Sequence, residues 1–250
     1  MNGDNTVKSL VRALQVLECF SQKEPELGVT EIARKLGMQK STIFNILSTF
    51  QETGYLTKNA ATNKYQLGYK LLHLGYIVSS RMSIRQDFLP RMKEIANLSG
   101  EVCYLGLLDD LEVLYVEAVY PSTQIQSRNI LGERAPLYCT GLGKCMLANL
   151  EEEQIREVLS RPMQSFTKCT ITDPDVLRNE LEEIRRNGYA VDNMEHEFGI
   201  RCVAVPFFGL DGKVLGAVSV SGPSPRFDPP AIIRNASIIT EHLRGLQNCY

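Results

Sequence analysis

The chain has no CxxC pair, only three histidines, and no apolar run approaching the roughly 20 residues of a membrane-spanning helix. Each absence closes a class of protein. The seven cysteines (Cys19, Cys103, Cys139, Cys145, Cys169, Cys202 and Cys249) are odd in number and scattered, and none has a histidine at zinc-ligand spacing. Reduced, mostly buried thiols are therefore expected, in place of a disulfide framework or a zinc site. The opening residues MNGDNTVKS lack the basic and apolar segments of a secretory signal. The expected location is the cytoplasm, with no membrane association and no metal or other cofactor.

A strong charge of one sign is also missing: 27 Lys and Arg stand against 29 Asp and Glu, a net −2. That balance argues against a chain that wraps nucleic acid along its whole length. The distribution is uneven, however. Residues 1–81 hold ten Lys and Arg against six acids, whereas residues 82–250 hold 17 against 23. The pattern is a basic head on an acidic body, and 250 residues suffice for one large domain or two ordinary ones.

The basic excess coincides with VTEIARKLGMQKSTIFN, Val29 to Asn45. Thr30 is placed to cap a first helix, in which Ile32, Ala33 and Leu36 form one apolar stripe before Gly37 stops it. A second helix, starting at Gln39 or Ser41, turns Ile43, Ile46, Leu47 and Phe50 inward. Gln39, Lys40, Ser41, Thr42 and Asn45 are left outward, with donors and acceptors suited to phosphates and base edges. This is the pattern of a helix-turn-helix, whose second helix enters the major groove by its N-terminal end. Helix pairs around a glycine turn also occur in proteins that never touch DNA, so the stretch alone leaves both readings open.

Val7 to Phe20 reads as a preceding helix with Leu10, Ala13, Leu14, Leu17 and Cys19 or Phe20 inward. Beyond Gly54, Tyr55–Thr57 and Lys64–Leu67 read as two short strands around Asn59–Asn63, a wing. Lys58 and Lys64 on it suit the sugar-phosphate backbone, or are ordinary solvated lysines. Gly68 to Arg81, GYKLLHLGYIVSSR, is too apolar for an exposed linker. It is expected to be a helix covered by its counterpart in a second copy, or by the chain's own second domain.

From Ile84 strands and helices alternate. Gln86–Ser99 is a helix closed by Gly100, and VCYLGLL and LEVLYVEAV flank a hairpin turn at Asp109 and Asp110. Another strand is expected around Gln124–Ile130. A short helix follows TGLGK, Glu151–Leu159 forms the next, and Asp173 with Pro174 opens a third that Gly188 ends. IRCVAVPFFG and KVLGAVSVS are apolar strands joined through Leu210, Asp211 and Gly212, and Ala231–Leu246 is a terminal helix. Clustered strands with helices packed on them give an α+β class.

TGLGK, Thr140 to Lys144, is not a phosphate-binding loop. Tyr138 stands where the P-loop needs its first glycine and Cys145 where it needs Ser or Thr, while Met146 replaces the third glycine of the dinucleotide pattern. What remains is a set of small residues at a helix start, either a seat for one small carboxylate or a plain tight turn. Asp192, Glu195, His196 and Glu197 precede Gly199, Arg201 and Cys202 without the spacing of a metal site or a Cys/His catalytic pair. Asp192 and Cys202 suit the polar end of a pocket, and Cys202 equally suits a structural thiol. Ser219 and Ser221 share one face of the neighbouring strand. An enzyme using Cys202 or Cys139 as nucleophile, and a head that docks protein instead of DNA, are the competing readings.

Four blocks, GVTEIARKLGMQKSTIFNILSTFQETGYL, LGERAPLYCTGLGKCMLA, YAVDNMEHEFGIRCVAVPFF and GKVLGAVSVSGPSPRF, resemble in this order the IclR family of bacterial transcription regulators. The resemblance spans nearly the whole chain. It implies a winged helix-turn-helix over residues 1–67, a linker helix over 68–83, and a GAF-like effector domain with an antiparallel sheet over 84–250. It further implies a regulator, not an enzyme, that binds a double-stranded DNA operator as a homodimer or homotetramer and responds to a small organic acid. Carried onto this sequence, the effector pocket uses Gly141, Leu142, Asp192 and Cys202, with Ile200 as an apolar wall; Ser219 is added from its strand spacing. Cys145 departs from the alanine expected after GK in this family.

Overall fold

The computed structural model describes residues 6–123 and 130–246. The chain divides into two compact units, Met1–Arg81 and Met82–Tyr250.

The first unit runs α1 (Lys8–Glu18), α2 (Val29–Leu36), α3 (Lys40–Glu52), β1 (Leu56–Lys58), β2 (Tyr65–Leu67) and α4 (Tyr69–Ser80). Its core gathers Val16 from α1 and Phe20 just after it, Ile32 and Ala33 from α2, and Ile43 and Leu47 from α3, closed by Leu27, Leu56 and Tyr65. Gly37 ends α2 at φ 64, a left-handed conformation that only glycine adopts at little cost. β1 and β2 pair antiparallel with Thr57 opposite Gln66, and Leu27 bridges to Tyr65 on the far side of β2.

Two details of this unit correct the sequence reading. Thr30 lies inside α2, and the helix start at Gly28 is satisfied instead by the Glu31 carboxylate, which accepts the Gly28 N–H at 2.7 Å. Glu31 wins because a longer side chain reaches back from the third helical position and also holds Lys64. In α1, Leu10 and Leu14 are exposed; the inward stripe is Ala13, Val16 and Leu17, rotated around the helix because Val16 fits the core, and Phe20, just past the helix, is buried as expected. Val7, Leu10, Val11 and Leu14 thus form a second apolar stripe that the unit leaves uncovered. None of α4 is buried within the unit either, and Tyr69, Leu72, Tyr76 and Val78 are exposed.

The second unit begins with α5 (Ser83–Ser99), β3 (Val102–Asp109), β4 (Glu112–Val119) and β5 (Arg134–Pro136). It continues through α6 (Gly141–Leu147), α7 (Glu152–Ser160) and α8 (Pro174–Asn187), then β6 (Ala190–Asn193), β7 (Ile200–Phe208), β8 (Val214–Pro223) and α9 (Pro229–Leu243). The six strands form one antiparallel sheet in the order β5-β4-β3-β8-β7-β6. Period-two alternation divides its residues between two cores. Val205, Phe207, Val218 and Val220 pack under α5 and α9, whereas Ala204 and Ala217 face α6 and α8.

The start of α8 is as the sequence indicates, with Asp173 accepting the N–H groups of Asp175 and Val176. The β3–β4 turn is displaced by one residue. Asp110 and Leu111 occupy it at φ 50 and 59, so Asp109 still belongs to the ladder opposite Glu112. Such a pair of positive φ values matches a two-residue turn to strand twist. α9 ends at Leu243, followed by turn residues, short of the expected Leu246. Of the strand expected at Gln124–Ile130, residues 124–129 lie outside the described residues, and Ile130 is buried without strand structure. The edge strands β5 and β6 were not foreseen.

Candidate effector pocket and DNA-reading head

In the second unit the sheet register assembles one polar face. Asp192 of β6 stands opposite Cys202 of β7, and Cys202 stands opposite Ser221 of β8. One step along, Ala204 faces Ser219, which in turn faces Tyr104 of β3. α6 starts directly above these residues. The Thr140 side chain caps it by accepting the Gly143 N–H at 3.0 Å, and its own hydroxyl donates to the Pro136 carbonyl. A cavity of about 510 Å³ opens where the α6 start meets the sheet. Gly141, Leu142, Asp192, Ile200, Cys202 and Ser219 all line it, so six positions drawn from three separated blocks meet in one place. Sequence reasoning did not find the aromatic wall of Tyr104 and Tyr115, whose rings meet edge to face at 5.9 Å, nor the far wall of Glu101 paired with Arg226 at 2.6 Å.

The cavity has one buried titratable acid of unusual character. Burial lifts the Asp192 carboxyl to about 7, against the pull of the Glu195 N–H it accepts at 2.7 Å; the Glu195 charge adds to the rise. A proton shared at this site near neutrality lets Asp192 donate as well as accept a hydrogen bond. Cys202 is pushed up to about 12 by burial and then by Asp192, and Cys139 to about 12 by burial. A nucleophilic cysteine needs the opposite shift, toward thiolate at neutral pH. Neither thiol is equipped for covalent catalysis.

Lys144, the lysine of TGLGK, does not line the cavity. Its side chain is fully buried, with Nζ 2.6 Å from Glu195 and 2.8 Å from Glu180. Burial opposes its charge, but the two carboxylates carry its pKa above the ordinary lysine value. The same Glu195 oxygen accepts the Asn193 N–H, and Thr167 and Thr170 donate to the carbonyls of Met194 and Glu195. Lys144 and Glu195 therefore clamp the segment that carries Asp192. A lone lysine inside the apolar run GLGKCMLA was the available signal, since buried charges occur paired.

In the first unit, Gln39, Lys40, Ser41 and Asn45 are exposed on the first turns of α3, and Thr42 is half-buried. Lys58 is exposed on the wing, with its Nζ 5.4 Å from the centre of the Tyr65 ring. Lys64 is already engaged, at 2.8 Å from Glu31, which it holds below the ordinary carboxylate range.

Comparison with known proteins fits both units. The description "Bacterial transcriptional regulator IclR C-terminal" matches residues 77–242, and "IclR helix-turn-helix domain" matches residues 9–60. The HTH-type transcriptional regulator XynR of Escherichia coli (strain K12) is 34% identical over 89% of this chain and 88% of its own length. A crystal structure of an IclR transcriptional regulator from Silicibacter sp. TM1040, described there as putative, superposes with a TM-score of 0.84 at 28% identity, covering 95% of this chain and 94% of that one. An IclR homologue from Microbacterium hydrocarbonoxydans, solved in complex with 4-hydroxybenzoate, has a TM-score of 0.75 at 27% identity, covering 95% of this chain and 99% of that one. The chain belongs to the IclR family and is a DNA-binding transcription regulator, not an enzyme, with its effector-binding domain in the C-terminal unit.

Proposed function

We propose that the effector is a small organic acid and that its carboxylate sits at the start of α6 against Gly141, Leu142, Asp192, Cys202 and Ser219, with Ile200 as the apolar wall. The observation that carries this reading is the convergence of those six residues on one cavity at the start of α6. The 4-hydroxybenzoate bound by the Microbacterium homologue is an acid of the same kind.

In this reading residues 1–67 are the reading head, 68–83 the linker and 84–250 the effector domain. Gln39, Lys40, Ser41, Thr42 and Asn45 meet base edges and phosphates of the operator, and Lys58 and Lys64 grip the backbone. The chain works in the cytoplasm as a homodimer or homotetramer. The uncovered apolar stripes of α1 and α4 support self-association, because a second copy would remove them from water. The acid shifts the operator-bound population by binding the two arrangements of the heads unequally.

Two experiments test this. Asp192→Ala is expected to abolish effector binding in calorimetry while leaving operator affinity within a few-fold; unchanged effector affinity removes Asp192 from the pocket. Sedimentation is expected to give a dimer or tetramer that Leu72→Glu with Tyr76→Glu dissociates, and a monomeric wild type refutes the assembly.

A further inference from the structure

The outward surface of α3 is polar except at one position. Phe44 is 51% exposed and lies outside the apolar cluster that its neighbours Ile43 and Leu47 anchor. On a helix its nearest surface neighbours are the residues three and four away, here Lys40, Ser41 and Ser48, and it adjoins Asn45 in sequence. Helical side chains lean toward the N-terminus, so the Phe44 ring covers the turn of Lys40 and Ser41. That is the end of a recognition helix that enters the major groove.

A phenyl ring has no donor or acceptor and cannot read guanine, adenine or cytosine by hydrogen bonds. Thymine alone offers an apolar group in the major groove, its C5-methyl. We infer that Phe44 is a specificity-determining residue of operator recognition, packing its ring on the C5-methyl of a thymine in each half-site beside the bases met by Ser41 and Asn45. The inference rests on α3 being the reading helix.

The test uses the full chain and the duplex it selects from a random DNA library. Each thymine of that duplex is replaced by deoxyuridine, in both half-sites together, and affinity is measured by fluorescence anisotropy. One thymine position is expected at which loss of the methyl weakens binding about four-fold per half-site, the worth of one buried methyl group. Phe44→Ala should erase that sensitivity, and Phe44→Tyr, which keeps the ring, should retain it. The proposal is overturned if deoxyuridine weakens wild type and Phe44→Ala equally at every thymine. It is also overturned if Phe44→Ala changes the sedimentation behaviour and leaves base preference untouched, which would make the ring a subunit contact. If no preferred sequence is selected, α3 is not a reading helix, and that reading falls together with this one.

Discussion

A methyl group built on the Cα of Gly141 would overlap the sulfur of Cys202. The start of α6 thus lies against β7 with no room for a side chain, beside Cys202, Ala204 and the backbone of Asp192. Gly141→Ala should force helix and strand apart. The expected cost is about 1–3 kcal/mol in urea unfolding, the usual range for overpacking a tight site. Cys202→Ala in the same chain should restore most of it, and additive effects of the two changes would place the strain elsewhere.

Lys144 should be intolerant of neutral replacement. Lys144→Met leaves Glu195 and Glu180 facing each other without their shared cation, and removing one partner of a buried pair costs about 3–5 kcal/mol. Replacing Glu195 and Glu180 by Gln in the Lys144→Met background should recover part of that loss. Equal stability of wild type and Lys144→Met would show that the clamp contributes nothing.

Asp192 gives a pH signature of known sign. With its carboxyl near 7 in the folded chain, the native state keeps a proton that an unfolded aspartate, at about 4, has already released. Stability from this group is whole below about pH 4 and is lost as pH rises through about 7. Asp192→Asn removes the titration, so its unfolding free energy relative to wild type should rise between about pH 5 and pH 8. An acidic effector should likewise bind wild type more weakly above pH 7 and bind Asp192→Asn with little pH dependence. A constant difference in stability across this range would contradict the assignment.

The two wing lysines should behave differently. Lys58→Ala should lower the slope of log affinity against log salt by about one, as loss of a phosphate contact does. Lys64→Ala should lower it less and also reduce the melting temperature of the head, because Lys64 already balances Glu31 at the start of α2. Identical slopes for both variants would show that the Glu31 pair does not compete with phosphate.

The elements legible in the sequence were those governed by neighbours along the chain. Gly37 and Gly188 end their helices, Asp173 and Pro174 start one, and Asp211–Gly212 turns a hairpin, each through local backbone chemistry. What escaped depends on distant partners. The cation of Lys144 is satisfied by residues 36 and 51 positions away, and no spacing rule links them. Tyr104 and Tyr115 become a cavity wall only because β3 and β4 pair as they do. β5 is three residues long, too short for an alternation to register. Thr30 lost the capping role to Glu31 because the glutamate answers two groups at once, the Gly28 N–H and Lys64.

The central claim, that a pocket in the C-terminal unit governs DNA binding by the N-terminal one, is tested most directly by an operator titration. The selected duplex is titrated with the full chain at about 0.15 M salt, with and without an organic acid identified by its thermal stabilisation of the protein. The account predicts sequence-selective binding whose affinity the acid changes roughly ten-fold, within the usual range of allosteric coupling, and a change that Asp192→Ala abolishes. Affinity that is the same with and without the acid, in a protein that demonstrably binds both ligands, would contradict it.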